Sequence, residues 1–364
     1  MRTRCSRRYG KATEKIKIYF SLKKNGDKKI KMKAVLISDK KKNISDVYSE
    51  YTVKRIGGLT ELDTAFYTKE DVLMNKERFS DTEYIFSTWG MPSFTKEEIE
   101  EYFPSLKCVF YSAGSVQAFA RPFLESKIKV FSAWAANAVP VAEYTLAQIL
   151  LANKGFFTHT YLMDHGMQKK ARALKNEYPG NFGEKIGIIG VGMIGSLVAK
   201  KLKDYRLEVL AFDPFLPEER AVELGVRLCS LEELFSSCRV VSNHLANNAE
   251  TKGMLNYDLF SKMLPHSTFL NTGRGAQVVE DDLVRLLEER PDVTAVLDVT
   301  YPEPAREDHK FYSLANCFLT PHIAGSLGNE VHRMSEYMAD EFEKYLSGEV
   351  CRYEVSLGML ETMA

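Results

Sequence analysis

Three short segments in the second half of the chain carry groups that could act together on a carbonyl compound. Asn271-Thr272-Gly273-Arg274-Gly275 offers a guanidinium. Asp298-Val299-Thr300-Tyr301-Pro302-Glu303-Pro304 offers a carboxylate, and Thr320-Pro321-His322-Ile323-Ala324-Gly325 an imidazole. Adding hydride to a ketone builds negative charge on its oxygen. An imidazolium can deliver the proton that neutralises this charge, because imidazole titrates near neutrality. A carboxylate beside the ring favours the charged form and orients it. A planar guanidinium can grip a substrate carboxylate with two bonds and polarise the adjoining carbonyl. Taken singly, each residue has a plainer reading. Arg274 could be a surface ion pair, Glu303 part of a turn between its prolines, and His322 one more structural or solvated ring among seven histidines. Their joint occurrence is what points to catalysis by Arg274, Glu303 and His322.

A second constellation suits phosphate. Lys185–Ser196 reads KIGIIGVGMIGS, with Gly190, Gly192 and Gly195 at GxGxxG spacing. Among 22 glycines that spacing alone says little. Here an apolar strand precedes it, and a helix with Ile194, Leu197, Val198 and Leu202 on one face follows. Gly190 would make the tight turn. Gly192 would let backbone N–H groups approach a pyrophosphate, and Gly195 would let helix and strand pack closely. The helix start adds unpaired donors and the positive end of a dipole. The next strand ends at Asp213, 23 residues after Gly190. A carboxylate there accepts from both hydroxyls of an adenosine ribose and repels a 2′-phosphate. Pro214 and Phe215 follow with no adjacent arginine, so the expected cofactor is NAD rather than NADP. A kinase glycine loop would need VAIK, HRD and DFG elements, which are missing. A methyltransferase loop would have no use for Arg274, Glu303 and His322.

Positioning these groups requires strands whose carboxyl ends share one edge. From Glu184 the pattern is strand, helix, strand, repeated, with strands at Lys185–Ile189, Glu208–Phe212, Val226–Cys229, Val240–Asn243, Thr268–Asn271, Thr294–Leu297 and Cys317–Thr320. That alternation implies a mostly parallel sheet covered on both faces. Ser230 with Glu233 three residues on is a capping-box spacing. Val139 to Phe157 reads as one helix with Pro140 in its first turn. Before it, from Met32, strands at Ala34–Ile37, Tyr84–Ser87, Cys108–Tyr111 and Val130–Phe131 alternate with polar helices such as Thr95–Tyr102, which describes a small α/β domain. Asn329 to Leu346 reads as an amphipathic helix. The expected organisation is a dinucleotide-binding domain over 137–327, inserted into a substrate domain made of 32–136 and 328–364.

Composition bounds the rest. A chain of 364 residues, 45% hydrophobic, suits two domains or one large one. Residues 1–31 hold 12 Lys/Arg against Glu14 and Asp27, which leaves 37 basic and 47 acidic side chains in the remainder. An acidic body is poorly suited to the phosphate backbone, so no nucleic-acid partner is expected. The basic head reads as an unstructured extension, translated from an early start codon. A transit peptide is the alternative, weakened by the excess of lysine over arginine. No apolar run reaches the roughly 18 residues of a membrane span, so no membrane partner is expected. Cys5, Cys108, Cys229, Cys238, Cys317 and Cys351 are scattered, which argues against a zinc ribbon or disulfide framework and for a reducing, cytoplasmic setting with no metal.

From about Val109 to Gly325 these motifs together resemble the D-isomer-specific 2-hydroxyacid dehydrogenases. The resemblance implies an α/β protein in which a Rossmann-type doubly wound parallel sheet is inserted into a smaller flavodoxin-like α/β domain. It implies hydride transfer between NAD(H) and a 2-hydroxy/2-oxo carboxylic acid, with His322 as acid/base, Glu303 as its partner and Arg274 on the substrate carboxylate. It further implies that Asp298 meets the nicotinamide carboxamide. Met193 and Ile194 would lie along the pyrophosphate through their backbone, and Leu245, Thr272 and Gly273 would line the cofactor. Asn137–Glu143 matches the family's Asn-x-x-x-Val-Ala-Glu segment, and the helices after it form a dimer interface in such proteins, so a homodimer is expected.

In the family, the substrate carboxylate also meets backbone N–H groups of a glycine loop in the first domain. The matching stretch is Ser112–Val116, which makes Ala113, Gly114 and Ser115 the expected contacts. Ala113 and Ser115 replace common glycines, Gln117 stands where aspartate is usual, and Ala246 replaces a proline after His244-Leu245. Phosphoglycerate-type members offer a basic side chain in an early loop. Its counterpart here, Ser87–Pro92, has none. It offers Trp89 instead, as an apolar or sugar-stacking surface for substrate or as a plain core residue. This weighs against 3-phosphoglycerate. A different class sharing the fold is the NAD(H)-sensing corepressor, which uses dinucleotide to stabilise a dimer. An absence of turnover on any 2-oxo acid would favour it.

Overall fold

The computed structural model describes residues 32–361. The basic segment 1–31, with Cys5, and residues 362–364 lie outside the described residues. Contacts divide the chain into two compact units. One comprises residues up to Asn137 together with those from Gly328 on, and the other is Ala138–Leu327.

The first unit begins with β1 (Lys33–Ile37), β2 (Glu61–Tyr67), β3 (Thr82–Ser87), β4 (Cys108–Tyr111) and β5 (Lys129–Ser132). They pair in parallel in the order β5-β4-β3-β1-β2, a flavodoxin-type winding. Strands β1, β3 and β4 are near-continuous apolar runs because helices cover both faces of the sheet. Phe86, Phe110 and Phe131 stack across neighbouring strands, with ring centroids 5.1 and 4.8 Å apart. Phe342 of helix His332–Ser347 meets Phe86 and Phe110 edge-on at 5.2 and 5.3 Å, which ties the last helix to this unit.

The second unit contains β6 (Phe182–Ile189), β7 (Arg206–Phe212), β8 (Arg227–Leu228), β9 (Val240–Asn243), β10 (Thr268–Asn271), β11 (Thr294–Leu297) and β12 (Cys317–Leu319). Their order is β12-β11-β10-β9-β6-β7-β8 and every ladder is parallel. This is the Rossmann-type doubly wound order with one added strand, and the winding reverses between β6 and β9. The final strand, β13 (Glu354–Val355), pairs antiparallel with β5 in the first unit.

Several local expectations are corrected. The helix expected from Val139 begins at Trp134, so Pro140 lies in its interior rather than its first turn. Proline there leaves one helical acceptor without its usual donor. The same helix stops at Ala152, and Gly155, at φ 63°, opens a separate helix, Phe156–Asp164. Ser230 accepts from the Glu233 N–H at 3.2 Å, but the Glu233 carboxylate pairs with Arg227 at 2.8 Å and does not close a capping box. Strand β2 escaped the apolar pattern because it is an edge strand carrying Glu61 and Asp63. Among the described residues no helix is long and apolar enough to cross a membrane.

Candidate active site

The glycine loop leaves the carboxyl end of β6. Gly190 has φ +83°, and a Cβ there would stand 2.8 Å from the His244 carbonyl oxygen. A Cβ at Gly195 would stand 2.1 Å from the Gly190 oxygen, so helix Met193–Leu202 can approach the strand only with glycine at that position. Above Gly192 there is open space, with nothing within 4 Å of the place its Cβ would take. The N–H groups of Gly192, Met193 and Ile194 have no hydrogen-bond partner among the described residues. Asp213, at the end of β7, turns toward this loop. Its Oδ2 accepts the Val191 N–H at 2.8 Å and its Oδ1 the Phe215 N–H at 2.9 Å, which leaves each oxygen able to accept again. Free donors at a helix start, room above Gly192 and an anchored carboxylate one strand away are what a dinucleotide's pyrophosphate and ribose require.

Strands β10, β11 and β12 are consecutive and parallel, so the loops carrying Arg274, Glu303 and His322 leave from one edge. Nδ1 of His322 lies 2.6 Å from Oε1 of Glu303, across a separation of 19 residues. Their side chains are 46% and 40% exposed, and Nε2 makes no hydrogen bond among the described residues. His322 has φ 55°, a left-handed conformation that costs a non-glycine residue about 1–2 kcal/mol. Asp298 holds it there. The Asp298 carbonyl accepts the His322 N–H at 3.0 Å. Its Oδ1 accepts the Thr320 hydroxyl at 2.6 Å and the Ile323 N–H at 2.8 Å, and its Oδ2 the Ala324 N–H at 2.9 Å. Asp298 is buried, and its carboxylate builds the histidine turn while keeping acceptor capacity for a carboxamide.

Arg274 is on the same edge but is turned to its own loop. Its Nη1 donates to the Gly273 carbonyl at 2.7 Å, and among the described residues it pairs with neither Glu303 nor His322. Gly275 is pressed against the next loop, where a Cβ would stand 2.1 Å from the Thr300 carbonyl carbon. Thr272 and Gly273 are buried, with the Thr272 hydroxyl shared between Thr145 at 3.2 Å and His244 Nδ1 at 3.3 Å. Burial pushes His244 down to about 3, so that ring is neutral.

Three supporting residues, Gln277, Tyr144 and Glu280, had no signal in the sequence. Buried Gln277 donates to the carbonyls of Leu245 and Ala246 at 2.8 and 2.9 Å. Its Oε1 accepts from Asn243 Nδ2 at 2.6 Å and from the Arg274 N–H at 3.1 Å, which joins the β9 and β10 loops. The Tyr144 hydroxyl lies 3.1 Å from Thr320 Oγ1, behind Asp298. Glu280 accepts the Tyr301 N–H at 2.8 Å and faces His309 Nε2 at 3.4 Å, gripping the loop that carries Glu303. Burial pushes the Glu280 carboxyl up to about 7. No periodicity or spacing marks such residues, because each acts on a group outside its own local segment of the chain.

In the first unit, loop Ser112–Val116 leaves β4. The Ser132 hydroxyl donates to the Ala113 and Gly114 carbonyls at 2.9 and 2.6 Å. The N–H groups of Ala113, Gly114 and Ser115 have no partner among the described residues. Trp89, on the neighbouring β3 loop, is 41% exposed and is not a core residue.

Residues 146–324 match the family model described as D-isomer specific 2-hydroxyacid dehydrogenase, NAD binding domain. The chain is 31% identical over 302 residues to a formate dehydrogenase of Neurospora crassa, covering 80% of each protein. It is 30% identical over 234 residues to a D-3-phosphoglycerate dehydrogenase of Archaeoglobus fulgidus, covering 64% of this chain and 44% of that protein. The crystal structure of apo D-mandelate dehydrogenase from Rhodotorula graminis superposes with a TM-score of 0.74 at 18% identity, over 90% of this chain and 98% of that one. At that identity the likeness is one of fold.

Proposed function

The chain belongs to the D-isomer-specific 2-hydroxyacid dehydrogenase family, whose nucleotide domain takes NAD, and from that premise we propose that it interconverts a 2-oxo carboxylic acid and the D-2-hydroxy acid. The observation that carries this reading is the 2.6 Å contact between Glu303 and His322, with Nε2 left free. NADH, when bound, supplies the hydride that reduces the carbonyl carbon. His322 donates its Nε2 proton to the carbonyl oxygen and becomes neutral, and in the reverse direction it takes the alcohol proton. Glu303 accepts from Nδ1–H, which fixes the tautomer and aims Nε2 outward. Arg274 releases the Gly273 carbonyl to hold the substrate carboxylate by two bonds. Within the first unit, the free N–H groups of Ala113, Gly114 and Ser115 suit a carboxylate, and Trp89 on the neighbouring loop offers an apolar surface.

A formate-oxidising role is the competing reading, since relatives at 31% and 30% identity carry that name. Removing hydride from formate leaves carbon dioxide and makes or breaks no O–H bond. A histidine paired with a carboxylate then has no proton to move, so the pair favours the 2-oxo acid. Absorbance of NADH against a panel of 2-oxo acids, glyoxylate through aromatic and sugar-derived acids, tests this. Turnover should fall by roughly 10²–10⁴-fold in His322→Ala while NADH still binds. Formate oxidation undiminished in that variant would overturn it. The proposal includes a homodimer: helices Trp134–Ala152 and Phe156–Asp164 expose Leu151, Phe156 and Met163. A monomer in sedimentation velocity would remove that part.

A further inference from the structure

The inference rests on the reading that His322, oriented by Glu303, is the acid/base. The loop that carries Glu303 has few means of holding itself. Pro302 and Pro304 flank Glu303 and have no N–H to donate. Among the described residues, Tyr301 is the one member of 300–305 whose N–H finds a partner, and that partner is the side chain of Glu280, at 2.8 Å. The Glu303 carboxylate makes its one hydrogen bond among the described residues to His322. Its side chain is 40% exposed, so burial does little to fix it.

Glu280 is held far more firmly. It opens helix Glu280–Glu289, which enters the core of the second unit through Leu283, Val284, Leu286 and Leu287. Its side chain is buried beside that of His309, whose Nε2 lies 3.4 Å from the carboxylate oxygen that does not meet Tyr301. Nδ1 of His309 accepts the N–H of buried Phe311 at 3.2 Å, so the far side of the pair is anchored too. With Gly275 pressed against Thr300, the Glu280 contact fixes the direction in which the chain leaves toward Glu303, two residues on.

We propose that Glu280 is a positioning residue for the reaction: its hold on the Tyr301 N–H keeps the Glu303 carboxylate on Nδ1 of His322, and so keeps the hydrogen of the neutral ring on Nδ1 and Nε2 bare. The reach of its acceptor oxygen matters, and its charge does not, because an uncharged carbonyl oxygen accepts the same N–H. Once Glu303 is loosened, the ring hydrogen is free to sit on Nε2. A ring in that form cannot take the proton of an alcohol, so oxidation of a 2-hydroxy acid slows.

The test uses the full chain and two readouts. One is NMR of the His322 ring nitrogens in the neutral form, the signals being identified by their loss in His322→Gln. The other is kcat for oxidation of D-lactate, D-glycerate and D-mandelate at saturating NAD. The wild type should carry the hydrogen on Nδ1. Glu280→Ala should move it toward Nε2 and lower kcat by about tenfold or more, with the NADH dissociation constant within about twofold of wild type. Glu280→Gln should keep the wild-type tautomer and kcat. Glu280→Asp keeps the charge and shortens the reach by one carbon, so it should behave as Glu280→Ala does and stands in for it if the alanine variant fails to fold. Wild-type behaviour in Glu280→Ala and Glu280→Asp overturns the inference, as does an equal loss in Glu280→Gln. A lower kcat with the tautomer unmoved removes the positioning role and leaves the dehydrogenase reading intact. No turnover of any of the three acids, with the tautomer responding as stated, removes the dehydrogenase reading and leaves the hold on Glu303 standing.

Discussion

Replacing Glu280 with glutamine isolates the electrostatic strain behind the Glu303 loop. Glu280 opens helix Glu280–Glu289, accepts the Tyr301 N–H at 2.8 Å and faces His309, both side chains being only 12% exposed. The Phe311 N–H donates to His309 Nδ1 at 3.2 Å, which makes Nδ1 an acceptor and leaves Nε2 as the ring nitrogen that faces the carboxylate. Burial pushes Glu280 from 4.5 up to about 7, Asp281 adds to the push, and the Tyr301 N–H opposes it. The folded state therefore holds a proton that the unfolded chain has already released. The stability this represents is present in full below pH 4.5, falls as pH rises, and is gone above pH 7. The span amounts to about 3 kcal/mol, and for a unit of this size a melting-temperature change on the order of 6–12 °C. Glutamine keeps the carbonyl that accepts from Tyr301 and cannot ionise. Calorimetric melting at constant ionic strength should show Glu280→Gln gaining on the wild type between pH 5 and pH 8. A difference independent of pH, or a wild type that gains as pH rises, would refute the reasoning, the latter by showing that His309 is charged and paired.

Three further outcomes are expected. Asp213→Ala removes the proposed ribose acceptor and the anchor of Val191, so NAD binding should weaken about tenfold and the preference over NADP should relax, as read by fluorescence titration of both reduced cofactors. Gly195→Ala forces a Cβ to 2.1 Å from the Gly190 oxygen, so NADH binding should be lost before 2-oxo acid specificity changes, and an unaltered dissociation constant would show that the loop can shift freely. Asp298→Asn turns an amide NH2 toward one of the donors from Thr320, Ile323 and Ala324, a cost of about 1–3 kcal/mol. Its kcat should drop with the NADH dissociation constant little changed, and an unchanged kcat would show that the His322 turn holds itself.

The local chemistry was legible in the chain. Strands β4, β9, β10 and β11 coincide with their apolar runs, because a parallel strand buried on both faces must be apolar throughout. The glycine spacing announced the turn at Gly190 and the close packing at Gly195, since only a residue without Cβ fits either place. Arg274, Glu303 and His322 were visible as residue types at strand ends. Their mutual placement was not. That Glu303 meets His322 while Arg274 bonds its own loop depends on strand order and loop path, which periodicity does not encode. Asp298 was visible as a residue suited to a ligand contact, while its part in building the histidine turn shows only in the fold. Glu280 and Tyr301 lie 21 residues apart in the chain and meet because β10 and β11 are sheet neighbours. Hydropathy and glycine report how each segment is buried and bent. Which loops meet is decided by the sheet, because register and winding bring together residues that share no local pattern.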